Sequence, residues 1–186
     1  ADMLRTVMTR RYCTVAAAFL LAAATGVAAQ VAAPLFVAPA ANFTVFMQGA
    51  PIGTEQVSVS ANADGWTIRA TGRLGIPVSL STARFEVQYD RDWKPKSLDI
   101  EASLRGQPLL IATRFVNGSA ISDITQAGQQ TQKTDAVAAD TVLLPNMFFG
   151  AYEALALRLA AVQPGTDLRA YVVPQVAVAL PLTGVS

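Results

Sequence analysis

From residue 42 to residue 137, apolar and polar residues alternate along the chain, and turn-forming residues recur throughout. A period of two predicts antiparallel strands with one buried and one wet face. Residues 43–48 read as a strand, 49–53 as a turn cluster and 54–61 as the hairpin partner. An Asp-Gly pair closes the turn at 62–65, and strands follow at 66–73, 78–89, 96–105, 107–116 and 119–125. Asp90–Pro95 and Asn117-Gly118 supply turns between them, and Gly128 ends the last. The stretch 129–137 is polar throughout, which fits a strand at a sheet edge.

The period then changes. Over 147–162, Phe148, Tyr152, Leu155 and Leu159 recur at helical spacing, as do Phe149, Ala156 and Ala160. Pro145 and Asn146 suit the start of a helix, and Gln163-Pro164-Gly165 stops it. Only Glu153 and Arg158 are charged, so the helix is expected to lie largely covered, with Tyr152, Leu155 and Leu159 toward the concave side of the sheet. Strand pattern resumes over 168–178, where Pro174 limits it to an edge or bulge. The predicted class is mainly β: a curved antiparallel meander, a half-barrel or incomplete barrel of about 8–10 strands, packed on one α-helix in the C-terminal half. The tail 179–186 offers no closing element, so the chain reads as part of a longer protein with a further C-terminal domain.

Before the strands lies a different kind of sequence. Arg5, Arg10 and Arg11 precede an apolar run over 14–24, and Val27-Ala28-Ala29 follows with small residues. A basic start, a short apolar core and a small-residue end, in that order, predict a secretory signal peptide over 1–29, with the mature chain starting at Gln30. The run is shorter than the roughly 20 residues of a membrane span, so no span is expected once the signal is removed. Arg10-Arg11 leaves general secretion and twin-arginine export both open. Residues 30–41, rich in Ala and Pro, read as an extended linker.

Removing the signal changes the composition that matters. Arg5, Arg10, Arg11 and Asp2 leave with it, so 14 basic and 13 acidic residues become 11 and 12, a net charge of −1. No basic stripe remains for phosphates, and nucleic acid is not an expected partner. The single cysteine, Cys13, also lies in the signal, and the chain has no histidine. Histidine-based triads, cysteine nucleophiles and His- or Cys-ligated metals are therefore excluded from the mature domain. Phosphate-cradle motifs are missing too, and no cofactor is expected. Asp99 and Glu101 share one face of a strand, but the apolar face is the other one, through Leu98, Ile100 and Ala102, so they read as a solvated pair. Asp90-x-Asp92 lacks the further oxygens of a calcium loop.

What remains is apolar. Phe148, Tyr152 and Leu155 of the helix either fill the core or line a cavity for an apolar ligand between helix and sheet, with Ala70, Ala83, Ala102 and Ala112 making room. Arg84 and Arg114 are the candidates for a polar mouth, although each also reads as a surface arginine.

The opening segment Gly49-Ala50-Pro51-Ile52-Gly53-Thr54-Glu55, the long strands, the turn Tyr89–Pro95 and the single helix resemble exported bacterial proteins of the lipoprotein-carrier-like half-barrel type. That resemblance implies a curved sheet wrapping a helix. Leu144–Tyr152, with Tyr171-Val172-Val173-Pro174-Gln175, is also similar to the region ahead of secreted α/β-hydrolase domains. The likeness covers roughly 42–178 and carries no catalytic motif, so no site residue follows from it. The expected function is an exported, noncatalytic binding or accessory domain, periplasmic or extracellular. The alternatives are the accessory domain of a secreted hydrolase and a structural envelope protein. Mass spectrometry of the exported product should find its N-terminus at or near Gln30; a product that keeps residues 1–29 would refute the signal assignment.

Overall fold

A computed structural model describes residues 36–173 and 177–180; the signal assignment at 1–29 lies outside them. The strands are β1 (Phe36–Val37), β2 (Ala41–Met47), β3 (Ala50–Asn62), β4 (Gly65–Leu74), β5 (Leu80–Tyr89), β6 (Pro95–Leu104), β7 (Gln107–Val116), β8 (Ser119–Gln126), β9 (Gln129–Ala136), β10 (Val142–Leu143), β11 (Leu168–Tyr171) and β12 (Ala177–Leu180). A 3-10 turn (Phe149–Ala151) runs into the helix α1 (Tyr152–Ala161). From β3 to β9 each strand pairs antiparallel with the next, which is the meander expected from the alternation. β1 and β2 both pair with β3, so nine strands form one sheet, and among the described residues it does not close on itself.

Tight hairpins set the register. Asn117 and Gly118 both take positive φ, 49° and 76°, the primed turn that matches strand twist. Gln48-Gly49 does the same, so the first hairpin turns on two residues and 50–53 belong to β3 rather than to a turn cluster. The same register places Val57, Ile68, Phe85, Leu98, Ile100 and Ile111 on one buried face. Asp99 and Glu101 stand on the other, where both face Arg84 at 4.0 and 3.2 Å. β9 is an edge strand, as its polarity predicted. Two further boundaries differ from the sequence reading. The segment read as a linker holds β1, in which Phe36 and Val37 face Ala61 and Ser60. The stretch 168–178 is not one strand but two, β11 and β12, paired antiparallel.

The buried face of the sheet is covered by three pieces of chain. Phe148 stacks on Phe85 at 5.9 Å. The 3-10 turn follows it onto the sheet. The parallel pair β10–β11 brings Val142, Leu143, Ala170 and Tyr171, all buried, over the rest. Two tyrosines tie this cover down. The amide of Leu143 donates to the Tyr89 hydroxyl at 3.0 Å, and the Tyr171 hydroxyl donates to Asp135 at 2.5 Å. Burial pushes the Tyr89 phenol well above the ordinary tyrosine range.

The helix is shorter than its sequence pattern and turned the other way. Met147 takes a positive φ of 71° and Phe148 is extended, so helical structure begins only at Phe149. Within α1 only Ala154 is buried. Tyr152 is 51% exposed and Leu159 37%, so neither is covered by the sheet as expected; Leu155 is half-buried against the core. The reason is Gly150. A side chain there would meet the Ala70 methyl at 2.8 Å and Val57 at 3.1 Å, so the backbone itself rests on the sheet and rotates the helix behind it. Ala70 makes the room expected of it, whereas Ala83 and Ala112 are exposed.

Replacing Tyr89 with Phe removes the acceptor of a buried amide and should destabilise the domain by about 1–3 kcal/mol. Urea denaturation reads this directly; an unchanged midpoint would show that the Tyr89–Leu143 bond does not hold the cover.

Candidate functional site

The rotation of α1 leaves a groove where the sequence pattern placed a covered helix. Its volume is about 480 Å³, within the usual range for a small-molecule site. Val45, Phe46 and Met47 of the first hairpin form one wall. Met147, Phe149, Tyr152 and Leu155 form the other, and Ile52, Leu74, Val78, Leu144 and Ala170 also line it. No charged residue lines it, and Asn146 and Tyr152 are the lining residues with polar side chains. Phe46 is 62% exposed, and Met47, Phe149 and Tyr152 are exposed beside it, so the rim is itself apolar.

The rim continues onto the helix. Tyr152, Ala156, Leu159 and Ala160 share one side at helical spacing, and all four are exposed. The two charged residues of α1, Glu153 and Arg158, are half-buried instead, and the Arg158 guanidinium donates to the carbonyl of Asp140. A surface helix ordinarily turns its apolar stripe inward; α1 presents one to solvent.

Glu55 holds the helical wall in place. Its side chain stands on the concave face of β3, and the residue is 5% exposed. One carboxylate oxygen accepts the amides of Phe149 at 2.9 Å and Gly150 at 3.1 Å. These are among the amides that a helix start leaves without a partner, and a carboxylate at that end is favoured by the orientation of the peptide dipoles. Burial pushes the Glu55 carboxyl above the ordinary range, and the two amides pull it back without cancelling the shift. A wall residue of the groove, Phe149, is thus positioned by a strand residue 94 positions earlier.

The five residues singled out from sequence separate into three groups. Tyr152 and Leu155 line the groove. Phe148 lies beneath it, buried against Phe85, and fills the core. Arg84 and Arg114 project from the outer face of the sheet, where Arg114 pairs with Asp123 at 3.5 Å, and neither borders the groove. Phe46, Met47 and Phe149 were not singled out as lining residues; exposed apolar positions at a hairpin tip were the signal available for the first two. Asp90 turns its carboxylate onto its own loop, accepting the amides of Asp92 at 2.8 Å and Lys94 at 2.9 Å. No group of three metal-binding side chains occurs among the described residues.

A second polar cluster lies under the cover. Thr113 and Ser122 share a hydrogen bond of 2.8 Å, and Asp135 pairs with Lys133 at 3.0 Å and accepts from Tyr171. Burial first and the Asp135 carboxylate second keep the Tyr171 phenol protonated well above its usual range. Burial raises Asp135 as well, but Tyr171 and Lys133 outweigh it and hold that carboxyl low. The cluster pins β11 to the edge of the sheet.

The raised Glu55 carboxyl makes a pH prediction of definite sign. A group whose folded value lies above its unfolded value contributes stability in full below the unfolded value, 4.5, and loses it as pH rises through the folded one. Glu55→Gln keeps an acceptor and removes the charge, so its stability relative to the parent should improve as pH rises from about 4.5 toward neutrality. Paired urea melts check this; a constant difference, or one moving the other way, would refute it. No protein-family model, no curated protein and no solved structure matches the chain.

Proposed function

We propose that the protein is an exported, noncatalytic binding module whose groove takes an apolar ligand. The observation that carries this reading is the groove itself: an uncharged concavity of about 480 Å³ with exposed aromatic residues at its rim. Exposed Phe46, Phe149 and Tyr152 leave apolar surface in water, and such surface gathered around a concavity marks a binding site more often than chance. The chain's lack of histidine and the confinement of its one cysteine to the N-terminal segment favour binding over chemistry. The half-barrel resemblance points the same way. Among the described residues no helix is long and apolar enough to cross a membrane.

An apolar ligand in such a groove gains free energy mainly by leaving water. Each buried methylene is worth about 0.8 kcal/mol, so affinity should rise up to about fourfold per methylene until the groove is full. A series of aliphatic alcohols of increasing length, competed against a fluorescent apolar probe, measures this. Organic-solvent extracts of the protein purified from cells should contain lipid. Phe149→Ser and Tyr152→Ser should each weaken binding, while Leu157→Ser, on the same helix outside the lining, should not. Failure of every chain length to bind, with no lipid in the extract, would leave an accessory domain without a ligand.

A further inference from the structure

The groove does not end at Met147. A second concavity of about 590 Å³ shares Val78 and Met147 with it and brings in Arg105, Gln107 and Gln126. One row of residues links the two: Val45 and Leu74 line the first, Leu104 and Gln107 the second. Across the strands, Val45 faces Gly53, Gly53 faces Leu74, Leu74 faces Leu80, Leu80 faces Leu104 and Leu104 faces Gln107. Residues paired in this way point to one face of a sheet, here the concave one. At about 4.8 Å between strands, the row from Val45 to Leu104 spans roughly 19 Å. It is apolar up to Leu104 and becomes polar at Gln107, beside Arg105.

Arg105 is the one charged side chain that lines either concavity. Its setting differs from that of the ion-paired arginines. Arg69, Arg84, Arg114 and Arg169 each have a carboxylate oxygen within 4.0 Å. Among the described residues Arg105 has no carboxylate partner. Arg73, Arg91 and Arg158 have none either, but Arg73 stands opposite Thr54 and Ser81, at the outward positions of β3 and β5, and Arg91 and Arg158 donate to the carbonyls of Ala63 and Asp140, away from both concavities. Arg105 is also fixed to the groove wall: its amide donates to the carbonyl of Ser79 at 2.7 Å, next to Val78. An uncompensated guanidinium at one end of a long uncharged trough is complementary to a molecule with one anionic end.

We propose that the site takes a single-chain amphiphile with an anionic head, its chain along the row from Val45 to Leu104 and its head on Arg105. This rests on the apolar-ligand reading and adds the head group and its orientation. The polar mouth is then at Arg105, not at Arg84 or Arg114. Gln107 and Gln126 supply amide donors beside the guanidinium, and the ligand is a fatty-acid-like molecule rather than a neutral lipid.

Two probes separate the head from the chain: cis-parinaric acid and its methyl ester, titrated by fluorescence into the purified protein at low salt. The acid should bind about tenfold more tightly than the ester, and the preference should shrink as salt is added. Arg105→Gln should abolish the preference and leave the ester's affinity unchanged. Arg84→Gln, on the outer face, should change neither. Arg105 sits in an exposed hairpin turn, so the variant's melting temperature should match the parent's and exclude unfolding as the cause. Equal binding of acid and ester by the parent, or a preference that survives Arg105→Gln, overturns the head assignment and leaves the groove reading intact. Binding of neither probe overturns both.

Discussion

The carboxylate of Glu55 stands on the apolar face of a sheet, where a charge is costly unless its hydrogen bonds are met. The chain meets them with the amides of Phe149 and Gly150. That pairing decides where the cover lands. It draws the start of the helix onto β3 and β4, and Gly150 lets the backbone come close enough to touch Ala70 and Val57. With the first turn held there, only Ala154 of α1 is buried.

Everything distinctive about the surface follows from that landing. The concave face is covered mostly by Phe148, β10 and β11, so the helix is not needed to fill the core. Tyr152, Ala156, Leu159 and Ala160 are left outward, and the helix flank and the first hairpin leave a trough between them. The tyrosines on either side secure the cover by hydrogen bonds rather than by area alone: Tyr89 through Leu143, Tyr171 through Asp135. These bonds join residues 54 and 36 positions apart. They also keep the cover in one register, which an apolar face by itself would leave free to slide.

Much of the sheet was legible along the chain. Alternation marked β3 to β8, and Asp64-Gly65, Asn117-Gly118 and Gly128 marked their turns, because strand period and primed-turn chemistry are local properties. The polar run that became β9 announced an edge for the same reason. The helix was legible as a helix but not in its orientation. Phe148, Tyr152, Leu155 and Leu159 form an apolar stripe, and the usual inference turns such a stripe inward. Gly150 overrode it, since a missing side chain carries no hydrophobic signal yet permits the closest approach to the sheet. The linker reading of 30–41 missed β1 because two residues are too few to show a period.

The sequence by itself determined the strands β3 to β9, their wet and buried faces, and the lack of any histidine, or of any cysteine beyond Cys13, in the chain. Each of these depends on residue type and near neighbours. Only the tertiary structure decided which way the helix faces, that Phe149 rather than Phe148 borders the groove, and that Arg105 rather than Arg84 or Arg114 adjoins it. Those outcomes depend on a carboxylate and two amides meeting across 94 residues. They depend as well on strand register, which carries one row of side chains from β2 to β7. Distances of that kind are set by how the chain closes on itself, and no local pattern records them.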